Sequence, residues 1–214
     1  MLKSDSALRN FISAMLSRDT AKALRLLAAS PDLATASFRA GATRKASNVY
    51  LLREIPRYIF AGDTALHIAA AAYRTELVRA LLRHGADVHA ANRLGYHPIH
   101  SAAVGIPGSP SWDPAAQSAT IRMLIDGGAD PNATDKRGVS PLHQAVRTRC
   151  AAAVQTLLEC NADPARRNRG GSTPLLLASK PTGRGGSGSP EAKAEQQEIV
   201  RLLEQALAKM AKAK

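Results

Sequence analysis

Hydrophobic residues recur along this chain at helical spacing, in short segments separated by polar or glycine-containing turns. Residues 8–16 and 23–27 each place their aliphatic and aromatic side chains on one helix face, and Pro31 then ends the second segment. Residues 77–82 and 154–158 repeat the pattern with paired leucines and valines. The pattern predicts an all-α chain built from short helices, each too small to bury its apolar face alone.

Four near-copies of one string begin at Gly62, Gly95, Gly138 and Gly171, which are separated by 33, 43 and 33 residues. The copies read GDTALH, GYHPIH, GVSPLH and GSTPLL. In three copies a threonine or serine precedes the predicted helix, where its hydroxyl can accept a backbone N–H. Proline stands at the first helical position of three copies, where its missing N–H costs nothing. Glycine or asparagine ends the second helix of three repeats, at Gly85, Gly128 and Asn161, as expected of a residue that must adopt a left-handed conformation.

This period and these strings resemble ankyrin repeats over about residues 60–204. The resemblance implies a solenoid of stacked helix pairs joined by β-hairpin loops, with protein binding through the hairpin tips and first helices. Residues 61–70 and 182–190 further resemble a group of stand-alone bacterial ankyrin-repeat proteins with the same loop insertions. The chain departs from the family pattern at Ile59, where aspartate is usual, at His97, which replaces threonine, and at Leu176, which replaces histidine.

The repeats divide the chain into four expected parts. They are a capping helix pair in residues 1–34, an extended hairpin insertion in 35–61, about four ankyrin repeats in 62–209 and a basic tail in 210–214. Residues 49–52 and 58–60 of the hairpin insertion are candidate strands. Two further insertions, at 104–114 and 181–190, fall between the first and second helix of their repeats and should project from the same edge.

The net charge of +12 indicates the kind of partner rather than the fold. Aligning the repeats places several basic residues at the hairpin tips or at the ends of the first helices. We therefore predict a partner-binding set comprising Arg93, Leu94, Tyr96, Trp112, Lys136, Arg137, Val139, Arg147, Arg167, Arg169 and Lys180. The leading hypothesis is an adaptor or inhibitor that binds an acidic protein surface. Nucleic-acid binding through the basic loops is the alternative, although few aromatic residues accompany the basic ones.

Two single residues allow competing interpretations. Trp112, the only tryptophan, lies in a loop rich in proline, glycine and serine, where it could anchor an interface or fold back over the neighbouring helix. Cys150 lies near a helix start, directly after Arg149 and three residues after Arg147, an environment that lowers a thiol pKa and favours reactivity. A small buried cysteine is the structural alternative.

Three histidines at matched positions, His67, His100 and His143, raise the possibility of a metal site. Their spacing of one per repeat, about 10 Å or more, is too wide for one zinc ion, so we expect structural roles. Residues 183–188 fit G-x-G-x-x-G, but no βαβ context surrounds them, and a flexible basic loop is expected. No catalytic set, metal or cofactor is predicted, and the chain is not expected to be an enzyme.

The remaining features concern the cellular setting. Cys150 and Cys160 lie at the two ends of one predicted helix, roughly 15 Å apart, which is too far for a disulfide. Residues 1–17 lack the apolar core of a signal peptide or membrane span. We therefore expect a cytoplasmic protein, and the capped ends favour a monomer.

Overall fold

Five consecutive helix pairs form the body of the protein. The computed structural model describes residues 3–55, 57–110, 112–180 and 190–212. The pairs are α1 (Lys3–Leu16) with α2 (Thr20–Ala29), α3 (Ala65–Ala71) with α4 (Thr75–Arg83), α5 (Pro98–Ala102) with α6 (Pro114–Asp126), α7 (Pro141–Arg147) with α8 (Ala151–Glu159), and α9 (Pro174–Ala178) with α10 (Pro190–Lys212). Short 3₁₀ turns occupy Pro31–Ala34 and Asn48–Tyr50, and two strands, β1 (Leu51–Leu52) and β2 (Arg57–Tyr58), pair antiparallel.

The helices stack in two layers. The first helices α1, α3, α5, α7 and α9 pack in succession, as do the second helices α2, α4, α6, α8 and α10. One continuous hydrophobic core runs between the layers from Leu8 in α1 to Leu203 in α10. The predicted all-α solenoid is thereby confirmed, because each pair buries its apolar face only against its neighbours.

The helix ends use the predicted residues. Ser140 and Thr173 cap α7 and α9 by accepting the backbone N–H groups of the residues three positions on. The second helices of three pairs end next to a left-handed residue, namely Gly85, Gly128 and Asn161, with φ of 82°, 98° and 64°. These caps satisfy backbone groups that would otherwise lose water without gaining a partner.

Each hairpin tip is the turn around one of the four repeat glycines, and the tips are numbered in the order Gly62, Gly95, Gly138 and Gly171. The hairpin insertion is folded back onto the first tip. Its buried residue Phe38 exchanges backbone hydrogen bonds with Asp63 and Gly62, at 2.8 and 2.7 Å. Ile59, which stands where aspartate was expected, donates its N–H to the carbonyl of Tyr50 and accepts from the N–H of Ala42. The departure at Ile59 therefore reflects pairing within the insertion, which replaces the usual side-chain support of the turn.

The other insertions lie between first and second helices. In the loop of residues 103–113, Asp113 caps α6 by accepting the N–H groups of Ala115 and Ala116, so Pro114 already belongs to that helix. Residues 181–189, including the G-x-G-x-x-G string at 183–188, lie outside the described residues. Helix α10 extends to Lys212, so residues 210–212, expected in a basic tail, are helical.

Candidate functional site

Successive hairpin tips are joined edge to edge by backbone hydrogen bonds. The N–H of Arg93 donates to the carbonyl of Ala61 at 2.7 Å, and that of Lys136 donates to Leu94 at 3.1 Å. The N–H of Arg169 donates to the carbonyl of Arg137 at 2.9 Å in the same way. The donor of each bond is the backbone N–H of a basic residue. These inter-tip bonds form a ladder, the tip ladder, that places the basic residues of adjacent tips side by side.

An asparagine or aspartate inside the second, third and fourth tips holds each of these turns closed. The Oδ1 atom of Asn92 accepts the N–H groups of Leu94 and Tyr96 at 2.9 and 3.1 Å. Asp135 and Asn168 accept backbone N–H groups at the same two places in the next tips. Sequence reasoning did not single out these residues, although each lies three positions before a tip glycine. Asp135 is thereby turned inward and buried, which leaves the outward side chains of its tip basic.

The matched histidines connect one repeat to the next. His67 Nδ1 accepts the backbone N–H of Thr64 at 3.1 Å, so the ring proton resides on Nε2. Nε2 then donates to the carbonyl of Tyr96, in the following tip, at 2.9 Å. One side chain therefore closes its own helix cap and hydrogen-bonds to the next repeat.

His100 and His143 repeat this arrangement, with Nε2 donating to the carbonyls of Val139 at 3.0 Å and Ser172 at 3.1 Å. All three rings are buried. Burial lowers the pKa of His67 and of His100 to about 4, and lowers that of His143, because the charged ring loses its hydration. No following tip is described beyond α9, where Leu176 replaces histidine and is exposed.

Most of the predicted partner-binding residues are accessible. The exposed basic side chains are those of Arg93, Lys136, Arg137, Arg147, Arg167, Arg169 and Lys180, and Leu94 and Tyr96 are half-buried. Val139 is a correction, because only 4% of its surface is exposed and its side chain packs inside the tip. The position following a tip glycine points inward there, so Val139 supports the turn and is not available to a partner.

Two of the basic tip residues lie against aromatic rings. The guanidinium of Arg93 stands 5.1 Å from the centre of the Phe60 ring and donates to the carbonyl of Ala42 at 2.6 Å. The guanidinium of Arg137 donates to the hydroxyl of Tyr96 at 3.0 Å. These contacts fix the orientation of the two cations and place Phe60 and Tyr96 next to them.

Trp112 does not project from its loop. Its indole N–H donates to Oε1 of Gln117 at 2.9 Å, and the Nε2 of the same amide donates to the carbonyl of Ala102. The indole also lies over Gly105, where an added Cβ would meet it at 2.7 Å. The expectation of a free interface anchor is therefore corrected, and the alternative, in which the ring folds back over α6, is the one observed.

Cys150 is a buried core residue. Burial raises the pKa of its thiol to about 11, although the hydroxyl of Thr148 bonds to the sulfur and acts in the opposite direction. The structure therefore favours the alternative of a small buried cysteine, because burial removes the hydration that a thiolate requires. Cys150 and Cys160 both carry free thiols.

The described part of the chain contains neither a metal-binding cluster nor a membrane-spanning helix. Within residues 3–55, 57–110, 112–180 and 190–212, no three His, Cys, Asp or Glu side chains come together as a metal site would require. Among the helices described, none combines the length and apolarity that a bilayer span requires.

Two family models match the chain. One, described as ankyrin repeats in three copies, matches residues 114–209, and the other, described as an ankyrin repeat, matches residues 61–93. Together they cover more than half of the 214 residues. The intervening segment contains α5, whose histidine link to the next repeat matches those of α3 and α7. Comparison with curated proteins finds no significant match.

Proposed function

Because this chain belongs to the ankyrin-repeat family, whose repeats generally mediate protein–protein interaction, we propose that it is an adaptor or inhibitor that binds an acidic protein surface. The partner would lie along the hairpin tips and the first helices, in the groove that these elements form. Binding alone would be sufficient for either role. An adaptor brings the captured protein to another molecule, whereas an inhibitor blocks the activity of the captured protein.

The observation that supports this proposal is the row of cations laid side by side by the tip ladder. Arg93, Lys136 and Arg169 each begin an inter-tip backbone bond and each has an exposed side chain. The acid in the third tip, Asp135, is buried, accepts the N–H groups of its own turn and forms an ion pair with Arg137 at 3.4 Å. The outward charge of the tips is therefore of one sign, which raises the association rate with an acidic partner and disfavours basic ones.

Apolar contact would come from two half-buried tip residues. Leu94 follows Arg93 in the second tip, and Tyr96 is fixed in place by its hydroxyl bond to Arg137. A preorganised ring loses little conformational entropy on binding, so contact with Tyr96 would contribute affinity that the solvated charges alone do not supply.

The test is a double charge reversal, Lys136→Glu with Arg137→Glu. The full chain would be used to capture protein from a nuclease-treated bacterial lysate, and the association rate of each captured acidic protein would then be measured with purified components. We expect the association rate to fall by about tenfold or more at low salt, because the steering field of the third tip is inverted. Thermal unfolding is measured in parallel, because Arg137 also contacts buried Asp135 and the hydroxyl of Tyr96. Lys136→Glu alone should leave stability little changed, since that side chain lies at the surface.

The matched control is Arg79→Glu with Arg83→Glu, which makes the same change in net charge on the exposed face of α4, in the second layer. Equal slowing by both double variants would show that only net charge matters and would remove the tips from the proposal. Recovery that collapses on nuclease treatment, with a steep salt dependence, would instead support nucleic-acid binding through the basic loops.

A further inference from the structure

A cavity of about 310 Å³ lies beside the basic tips, between the first helices and two of the insertions. Its lining combines the hairpin insertion, α3, α5, α7 and the loop of residues 103–113. Five of the eight Phe, Tyr and Trp residues in the chain line it, namely Tyr58, Phe60, Tyr73, Tyr96 and Trp112. Such a concentration of rings in an alanine- and leucine-rich chain is typical of a recognition pocket and unlike the rest of this core.

The mouth of the cavity is apolar and exposed. Among the described residues, six large hydrophobic side chains have substantial exposure, and three of these six line the cavity. They are Tyr58 and Val104, each 39% exposed, and Ile106, 50% exposed. Leaving three such side chains together in water is unfavourable unless a partner covers them, so the cluster marks a contact surface.

Two polar atoms of the lining residues have no hydrogen-bond partner among the described residues. The hydroxyl of Ser101 is buried, with the residue only 4% exposed, and it has no hydrogen-bond partner among the described residues. The Nε atom of Arg57, another lining residue, is buried and unpartnered in the same sense, while its Nη2 is bound to Asp63. A buried hydroxyl without a partner costs free energy, and a ligand with a hydrogen-bonding group would recover it.

The surroundings of the cavity determine the charge of its occupant. No Asp or Glu is among the described residues that line it. Two aromatic residues of the lining contact cations of the tips. The guanidinium of Arg93 lies over the ring of Phe60, and that of Arg137 donates to the hydroxyl of Tyr96. A segment that enters the cavity from the groove therefore passes two guanidinium groups and meets no carboxylate there, which favours an acidic chain.

On the basis of the protein-binding function above, we propose that this cavity is the anchor site for a tyrosine side chain in an acidic segment of the partner. The ring packs among the aromatic side chains, and its hydroxyl hydrogen-bonds with the Ser101 hydroxyl. Aspartate or glutamate residues on either side of the tyrosine face Arg93 and Arg137. An aromatic anchor in a desolvated pocket, rimmed by charge, is the usual form of a binding hot spot.

The test uses three short synthetic peptides that share acidic flanks and differ at a central tyrosine, phenylalanine or alanine. Binding to the full chain is followed by calorimetry and by the emission of Trp112, the only tryptophan, which lines the cavity. We expect the tyrosine peptide to bind about tenfold more tightly than the alanine peptide and to change the emission of Trp112. Replacing the acidic flanks by lysine should abolish binding.

Two variants separate the pocket from the fold. Ser101→Ala removes an unpartnered hydroxyl, so the chain should remain as stable, while affinity for the tyrosine peptide falls about threefold to tenfold and that for the phenylalanine peptide does not. Ile106→Asp places a carboxylate at the mouth and should weaken both aromatic peptides. Its matched control is Val49→Asp, an exposed aliphatic residue of the hairpin insertion that is absent from the cavity lining.

Equal affinities for the tyrosine and alanine peptides, or no saturable binding of the tyrosine peptide, would overturn the anchor site. If the alanine peptide binds equally well and is weakened by reversal of Lys136 and Arg137, acidic recognition by the tips stands without the cavity. If the reversal of Lys136 and Arg137 leaves the association rate of the captured partners unchanged, the proposed function itself fails, whichever peptide binds.

Discussion

At the scale of single residues, the tip glycines permit the close approach of neighbouring repeats. Gly95 has φ of 81°, and a Cβ added there would lie 2.8 Å from the backbone nitrogen of Lys136. Gly171 has a similar φ of 74°, but a Cβ there would meet nothing within 4 Å. The two positions therefore separate the cost of a left-handed backbone from the cost of contact between tips.

We predict that Gly95→Ala is more destabilising than Gly171→Ala. The alanine at 171 should cost about 1–2 kcal/mol for its left-handed backbone, and that at 95 should cost about 1–3 kcal/mol more, because the Lys136 backbone must move. Urea unfolding of both variants measures the difference. Equal decreases in the free energy of unfolding would mean that the neighbouring tip moves aside at no energetic cost.

The buried histidines make stability depend on pH. The ordinary pKa of 6.5 applies in the unfolded chain, whereas the folded pKa of His67 and of His100 is about 4. Between these values the unfolded chain binds more protons, so the free energy of unfolding falls as pH decreases from 6.5 toward 4. The expected slope is about 1.4 kcal/mol per pH unit for each histidine. Protonation would also place a proton on Nδ1, which accepts the N–H of Thr64 in the folded protein.

Urea unfolding at about pH 7, 6 and 5 checks this dependence. His67→Gln should reduce the slope below pH 6.5, because one of the buried rings is removed. His89→Gln is the control, since that side chain is exposed. A free energy of unfolding that does not change over this pH range would show that the buried rings are protonated as easily in the folded protein as in the unfolded chain.

At the scale of elements, Gln117 fastens the 103–113 loop to the helix stack. Its amide is fully buried and bridges the indole of Trp112 to the carbonyl of Ala102 at the end of α5. The loop, held in this way by α6, forms one wall of the aromatic cavity, although it is rich in proline, glycine and serine. A side chain of the second helix thus positions a loop that lines the cavity.

We predict that Gln117→Ala costs about 2–4 kcal/mol, because it leaves a carbonyl and an indole N–H without partners and opens a cavity. The emission of Trp112 should move to longer wavelength as its ring gains water. Gln155→Ala, at an exposed position of α8, should alter neither quantity. An unchanged emission maximum in Gln117→Ala would contradict the proposed fastening.

At the scale of the whole molecule, stability is shared between neighbouring repeats. Leu81 in α4 and Leu203 in α10 are both fully buried, but α4 packs between α2 and α6, whereas α10 packs against α8 and α9. In a stack with nearest-neighbour coupling, an internal helix is supported on two sides and a terminal one on one side.

We predict that Leu81→Ala shifts the entire urea transition, while Leu203→Ala separates it into two parts. Each substitution removes about 2–5 kcal/mol locally. In Leu203→Ala, helicity measured by circular dichroism should be lost at lower urea than the Trp112 signal, because α10 unfolds first. Coincidence of both signals in Leu203→Ala would place α10 in the same cooperative unit as α6.

Local sequence chemistry was sufficient to predict the helix pairs, their caps and the succession of tips. Pro141 at the first position of α7 and the left-handed Asn161 after α8 act on their own backbone, so their roles follow from residue type and position. The inward side chain of Val139 was predicted wrongly, and the sequence left two placements open for the indole of Trp112, because each is decided by partners from other segments of the chain. The cavity escaped prediction for the same reason, since its lining comes from residues between Ile55 and Thr148.

The sequence by itself determined that this chain is a stack of short helix pairs with basic hairpin tips, because the repeat period and the turn residues act through local backbone geometry. Only the tertiary structure decided which of those residues face outward together. Stacking turned Asp135 into the tip, joined each histidine to the following repeat and gathered rings from distant segments into one cavity. These outcomes depend on packing between segments far apart in the chain, and periodicity carries no information about such contacts.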